Sequence, residues 1–126
     1  MNQRFIELGE GFGDVFELCE LIRTNAARFT NGFIFASENP DGKPILSVAA
    51  AFSPGGDSNF TPIYICREGI QPESKRLRMA IESMQAAGKE PISLDVKPSR
   101  LFADKELYYS YLIGILRLNH FLPPLR

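Results

Sequence analysis

"FIFASENPDGKPILSVAAAF", residues 33–52, decides the fold. "FIFAS" (33–37) reads as a strand and "PILSVAAAF" (44–52) as its partner. Between them, "ENPDGK" (38–43) contains Pro40-Asp41-Gly42, which supplies the fixed and left-handed backbone angles a reversal needs. Two apolar runs joined by such a turn predict an antiparallel hairpin.

Working outward to the C-terminal side, "SPGGDSN" (53–59) reads as a loop. It is expected to be the most mobile internal segment, because paired glycines between two strands resist ordering. "FTPIYICRE" (60–68) is rich in aromatic and β-branched residues and reads as a third strand. Pro72 suits the first turn of a helix. Leu77, Ala80, Ile81, Met84 and Ala87 form that helix's apolar stripe, and Gly88 caps its end. "PISLDV" (91–96) is a fourth strand. It returns through a helix, so it is expected to lie parallel to a strand of the same sheet by a right-handed crossover. Asp104 can cap a last helix running to Asn119, and Pro123-Pro124 closes the chain.

On the N-terminal side, Gln3–Leu8 reads as a short strand and "GEGFGD" (9–14) as a turn. Asp14 can cap a helix, with Glu17 three residues on as in a capping box. Val15, Leu18, Cys19, Ile22 and Ala26 recur at helical spacing and predict a helix over 15–28, ended by Thr30-Asn31-Gly32. The order is (β)α-βββ-α-β-α. That is an α+β fold with a mixed sheet: an antiparallel three-strand meander, a fourth strand returning through a helix, and helices on at least one face.

A chain of 126 residues fits one domain, 1–126, large enough for a core without metal or disulfide staples. The net charge of −1 gives nucleic acid or anionic membrane no global attraction. The longest apolar stretches fall far short of the ~20 residues a membrane span needs. No secretory signal pattern is present. Cys19 and Cys66 lie in periodic apolar segments, so both are expected to be buried, reduced and unbridged in a cytoplasmic protein. His120 is the single histidine, which excludes a multi-His metal site and argues against a His-based triad. No cofactor, nucleic-acid partner or membrane partner is expected.

Three stretches invite a chemical reading. "GEGFGD" has Gly9 and Gly11 where a dinucleotide fingerprint has glycines, but Asp14 stands where the third is required. Glu10 and Asp14 would also repel phosphate at the helix start. Asp95 and Lys97 share a strand face next to Pro98, which reads either as an active-site pair or as the solvated close of a strand. Arg67 and Glu68 end the third strand in the same way, so Asp95, Lys97, Arg67 and Glu68 are the weak catalytic candidates. They would gain weight if the third and fourth strands were neighbours and all four side chains met in one pocket. "KRLR" (75–78) reads as a solvated helix face.

The α-βββ-α-β order resembles the restriction-endonuclease-like core, but that family's acid-x-Lys belongs on the third strand and its other acid on the second. Here "PILSVAAAF" has no acid, and Asp95-x-Lys97 falls on the fourth strand. The same order, with "LDVKPSRLFADKELYYSYL", resembles the GCN5-type acyltransferase core. The acyl-CoA signature of that family is missing from "REGIQPESKRLRM" (67–79), which has no second glycine to let pyrophosphate reach the backbone. Taken together, "RFIELGEG", "PIYICREGI", "LDVKPS" and "ELYYSYLIGILRLNHFLPP" resemble a small uncharacterised family of cytosolic proteins from Bacillus-type bacteria. Members are sometimes labelled methylthioribose kinase. This chain lacks the length for two kinase lobes, a V-A-I-K-type lysine and a His-Arg-Asp-like loop.

The last helix is too apolar for one buried stripe. From Leu107, residues including Tyr108, Tyr109, Tyr111, Leu112, Ile113, Ile115, Leu116 and Leu118 fill roughly 240° of arc, against the ~100° an ordinary surface helix needs. Tyrosines also suit an interface. The expectation is a homodimer burying at least ~1,000 Å² around Tyr108, Tyr109, Leu112, Ile113 and Leu116, with another protein as a further possible partner. The competing expectation is a small-ligand or acyl-transfer enzyme working from the strand-end polar residues.

Overall fold

The computed structural model describes residues 2–8, 13–54 and 60–122. The elements run β1 (Asn2–Glu7), α1 (Asp14–Thr24), β2 (Phe29–Glu38), β3 (Pro44–Phe52), β4 (Phe60–Ile65), α2 (Lys75–Ala86), β5 (Ile92–Asp95), one 3-10 turn (Ser99–Leu101) and α3 (Lys105–Leu118). The strands form one mixed sheet in the order β1-β4-β3-β2-β5. The β2-β3-β4 meander is antiparallel, and a parallel strand flanks it on each side: β1 beside β4, β5 beside β2. The fold is therefore α+β with a mixed sheet, and the early strand takes its place in it.

Both faces of the sheet are covered. Ile34, Val48, Ala50 and Phe52 pack with Val15, Leu18 and Ile22 of α1 and Ala80 and Met84 of α2. Phe33, Phe35, Ala49, Ala51, Ile63 and Ile65 pack with Tyr108, Leu112 and Leu116 of α3. Adjacent residues of β2 and β3 thus enter opposite cores, which is why "FIF" and "VAAAF" are unbroken apolar runs rather than alternating ones. Phe33 and Phe35 have almost no exposed surface. Truncating either to alanine removes a side chain of a size that costs about 3–5 kcal/mol in a core.

The hairpin closes as its residues dictate. Asn39 Oδ1 accepts from the N–H of Asp41 (3.0 Å) and of Lys43 (2.9 Å), and Gly42 takes φ +79°. The register runs Phe33↔Ala49 to Glu38↔Pro44. Gly32 answers a different need. A Cβ there would sit 2.3 Å from the Met84 sulfur, so the Met84 side chain fills the space that a side chain at position 32 would take.

Several boundaries differ from the sequence reading. α1 ends at Thr24 rather than at 28: Asn25, at φ −122° and ψ 31°, leaves the helical conformation, and its side-chain amide joins its own N–H on the Leu21 carbonyl (both 3.0 Å). β2 consequently starts at Phe29, and Thr30-Asn31-Gly32 is strand, with a register irregularity between Phe29 and Asn31. β4 stops at Ile65, three residues before Glu68, and Pro72 precedes α2, whose N-cap is Ser74 (Oγ accepting from Leu77 N–H, 3.2 Å). Gly88 does end α2: its N–H bonds to Gln85 O and that of Lys89 to Met84 O, with Gly88 at φ +85°. The expected loop at 53–59 falls, from residue 55 on, outside the described residues.

Both cysteines are free thiols. Cys66 is buried, whereas Cys19 is only half-buried: it sits where α1 meets α2, its thiol donating to Met79 O at 3.6 Å. Among the described residues no helix is long and apolar enough to cross a membrane.

Candidate functional site

β1 and β4 are parallel neighbours, so their C-terminal ends lie side by side, the end of parallel strands at which open α/β sheets bind ligands. Three carboxylates gather there. Glu7 is the last residue of β1, Glu68 lies just past β4, and Asp14 opens α1.

Strand parity sends Gln3, Phe5 and Glu7 toward α3. Glu7 Oε1 accepts from Lys105 Nζ (2.9 Å) and from the Tyr109 hydroxyl. Phe5 stacks on the Tyr109 ring at 5.0 Å, and Gln3 Oε1 accepts from Arg117. Lys105, Tyr109 and Arg117 lie on one row of α3, so the helix runs along β1 in the opposite sense and is held at both ends. The hydrogen bond from Tyr109, and then that from Lys105, hold the Glu7 carboxyl below its usual range against the opposing effect of burial. Burial first, and then the Glu7 carboxylate, push the Tyr109 phenol up.

Glu68 accepts from the Ser99 N–H (3.1 Å) and the Ser99 hydroxyl, tying the 3-10 turn to the end of β4. The Tyr108 phenol is also raised, by burial and then by the nearby Glu68 charge. Asp14 is fully enclosed. Its carboxylate accepts from Val15 N–H (2.7 Å), Arg67 N–H (3.0 Å) and Arg76 Nη2 (2.6 Å). This corrects two expectations. Asp14 is the first helical residue rather than the cap, with Gly13 at the cap position, and "KRLR" is not wholly a solvated face, because Arg76 turns inward to Asp14.

The space among Glu7, Ser47, Glu68, Lys105, Tyr108 and Tyr109 measures about 10 Å³, room for one water molecule. The chemistry available in it is limited. The Cys66 thiol beside it is pushed far up by burial and by the Asp14 carboxylate, which disfavours the thiolate form. Among the described residues no group of three or more His, Cys, Asp or Glu side chains could hold a metal ion.

The four strand-end candidates do not come together. Arg67 and Glu68 lie at this cluster, but β4 and β5 are separated by β3 and β2. Asp95 faces an open groove of about 330 Å³ beside Ser37, Glu38 and Pro44, and Lys97 offers its backbone N–H to the Tyr111 hydroxyl at 2.9 Å. Both side chains are exposed, as at the solvated close of a strand. Residues 9–12 of "GEGFGD" lie outside the described residues.

The expected interface residues divide as well. Tyr108, Leu112 and Leu116 are buried in the chain's own core, because the sheet face opposite α1 and α2 needs them. Tyr109 and Ile113 are half-buried, and Phe121 of the tail packs on Phe33 at 5.8 Å. The outward apolar residues of α3 are Leu107 and Leu118, 53% and 81% exposed.

Sequence reasoning missed the Glu7–Lys105–Tyr109 contact. The signal was present: Glu7 shares parity with Phe5, and Lys105 and Tyr109 are four apart on a helix. Neither a curated protein nor a solved structure matches the chain. One family model matches residues 1–122, nearly the whole chain, and by that match the protein belongs to the domain of unknown function family DUF7147.

Proposed function

We propose that this chain is a cytoplasmic protein-contact domain of a bacterial cell, pairing with a second copy of itself and carrying out no chemistry of its own. The observation that carries this reading is the exposure of Leu107 and Leu118 on one side of α3. Apolar surface left in water is unfavourable by about 25 cal/mol per Å², and contact with a partner relieves it. The closed strand-end cluster supports the same reading. Each of its carboxylates is engaged by the chain's own donors, and a space for one water admits neither a nucleotide nor an acyl-CoA.

Thermal-shift screening of the full chain against nucleotides, acyl-CoAs and divalent metals tests it. The expected result is no saturable stabilisation. A ligand that raises stability by about 2.7 kcal/mol at one hundred times its dissociation constant would put the enzyme reading, with Arg67 and Glu68 or with Asp95 and Lys97, in its place.

A further inference from the structure

Nothing among the described residues requires a glycine at position 114. A glycine in mid-helix weakens the helix, and here a Cβ would meet none of the described atoms within 4 Å, with no positive φ to require the residue. Gly32, by contrast, is demanded by Met84, and Gly42 and Gly88 by their backbone angles. The vacancy at Gly114 opens outward, between two exposed leucines.

Leu107, Tyr111, Gly114 and Leu118 fall within about 60° of arc on α3, turned roughly 130° from the direction of Tyr108, Leu112 and Leu116. Their spacing of four, three and four residues is symmetric. An axis passing between Leu112 and Ile113 therefore sets Leu107 opposite Leu118 and Tyr111 opposite Gly114 in an antiparallel second copy. Bulk meets hollow at each such pair. The Tyr111 ring is half-buried and held in one place by its own chain, its hydroxyl accepting from Lys97 N–H and its ring tilted on Phe102 at 4.9 Å, so its remaining surface is presented in a fixed position.

Charge falls close to the same axis, Glu106 and Arg117 being symmetric about a point one residue nearer the start of α3. Glu106 and Arg117 lie on the same flank of the stripe, Glu106 exposed and Arg117 held by the neutral amide oxygen of Gln3. Antiparallel pairing brings Glu106 of each copy to Arg117 of the other, twice over. Parallel pairing would instead put the Glu106–Arg117 flank of one copy on the opposite side of the seam from that of the other, so the two charges would not meet, and would set Gly114 against Gly114. The antiparallel arrangement also sets the helix dipoles against one another favourably.

We infer that two copies of this chain pair through α3, antiparallel about a two-fold axis, with Tyr111 of each seated over Gly114 of the other. The inference rests on the self-association reading above and gives it a face and an orientation. One helix face buries roughly 1,000 Å² in total, the low end for a specific interface, so the dimer is a reversible one.

Gly114→Leu and Glu106→Arg, each in the full chain, test it by sedimentation equilibrium beside the unaltered protein. Both substitutions are expected to raise the dimer dissociation constant by about tenfold or more. A Cβ at position 114 meets nothing within 4 Å among the described residues, and an undiminished melting temperature of Gly114→Leu reports an intact fold. Glu106→Arg, on an exposed position, keeps the test valid should the leucine disturb folding. A dimer that neither substitution weakens overturns this interface while leaving self-association through another face. A protein that is monomeric before substitution overturns both.

Discussion

At Asp14 a carboxylate with no exposed surface meets two backbone N–H groups and the Arg76 guanidinium, whose own side chain is 30% exposed. Breaking such a pair leaves a charge without its counterpart in the interior. Asp14→Ala is expected to destabilise the fold by about 3 kcal/mol, the low end for a broken buried pair because Arg76 retains some contact with water. Urea denaturation measures it, and a loss under about 1 kcal/mol would show the pair to be dispensable. The sequence presents Asp14 as a cap because a Gly-Asp step before a helical pattern is locally indistinguishable from one. Its partner stands 62 positions away, beyond any periodic signal. His120 is a second residue whose role is conformational. It occupies φ +63° just after α3, with its N–H on Arg117 O and that of Phe121 on Leu116 O, the position glycine favours at a helix end. His120→Gly is expected to stabilise by about 1 kcal/mol by relieving the left-handed strain, read as a rise in melting temperature. An unchanged or lower melting point would contradict the strain.

Among the elements, α3 and β1 form the joint that the polar groups secure. Glu7 has its carboxyl held below the ordinary value of 4.5, so in the fold the charged form is favoured. Its contribution to stability is therefore complete above about pH 4.5 and is lost as pH falls through the lower folded value. The Glu7 side chain is 46% exposed, which keeps the ion pair to the ~0.2–1 kcal/mol of a solvated contact. The destabilisation caused by Glu7→Gln should be measurable at neutral pH and vanish in acid. A difference from the unaltered protein that stays constant with pH would mean that the Lys105 and Tyr109 contacts discriminate nothing. The hairpin, the Gly88 stop and the Asp104 cap, with Oδ1 accepting from Leu107 N–H at 2.9 Å, are all legible from sequence because their chemistry is local. The end of α1 and the start of β2 are not. There Phe29 is drawn into the core beside Phe52, at a ring distance of 5.7 Å, and this tertiary gain outweighs the helical spacing of the residues before it.

For the whole molecule, the legible part was the order of elements and the mixed sheet, since the hairpin and the helical return leave few ways to arrange four strands. What the sequence could not place was the pairing of β1 with β4, which brings Glu7 and Glu68 to one end of the sheet across 61 residues of chain. Nor could it divide the apolar arc of α3 between the chain's own core and the outside. Tyr108, Leu112 and Leu116 went inward, and the stripe of Leu107, Gly114 and Leu118 is left facing out. The strand-end carboxylates are engaged by the chain's own donors and the last helix keeps leucines in water, and on these the proposed self-association rests. Sedimentation equilibrium of the full chain at micromolar concentrations tests that most directly. The account predicts a reversible monomer–dimer equilibrium, with the mass-average rising toward twice 14.1 kDa as concentration increases. A mass that stays at that of one chain across the whole range would contradict it.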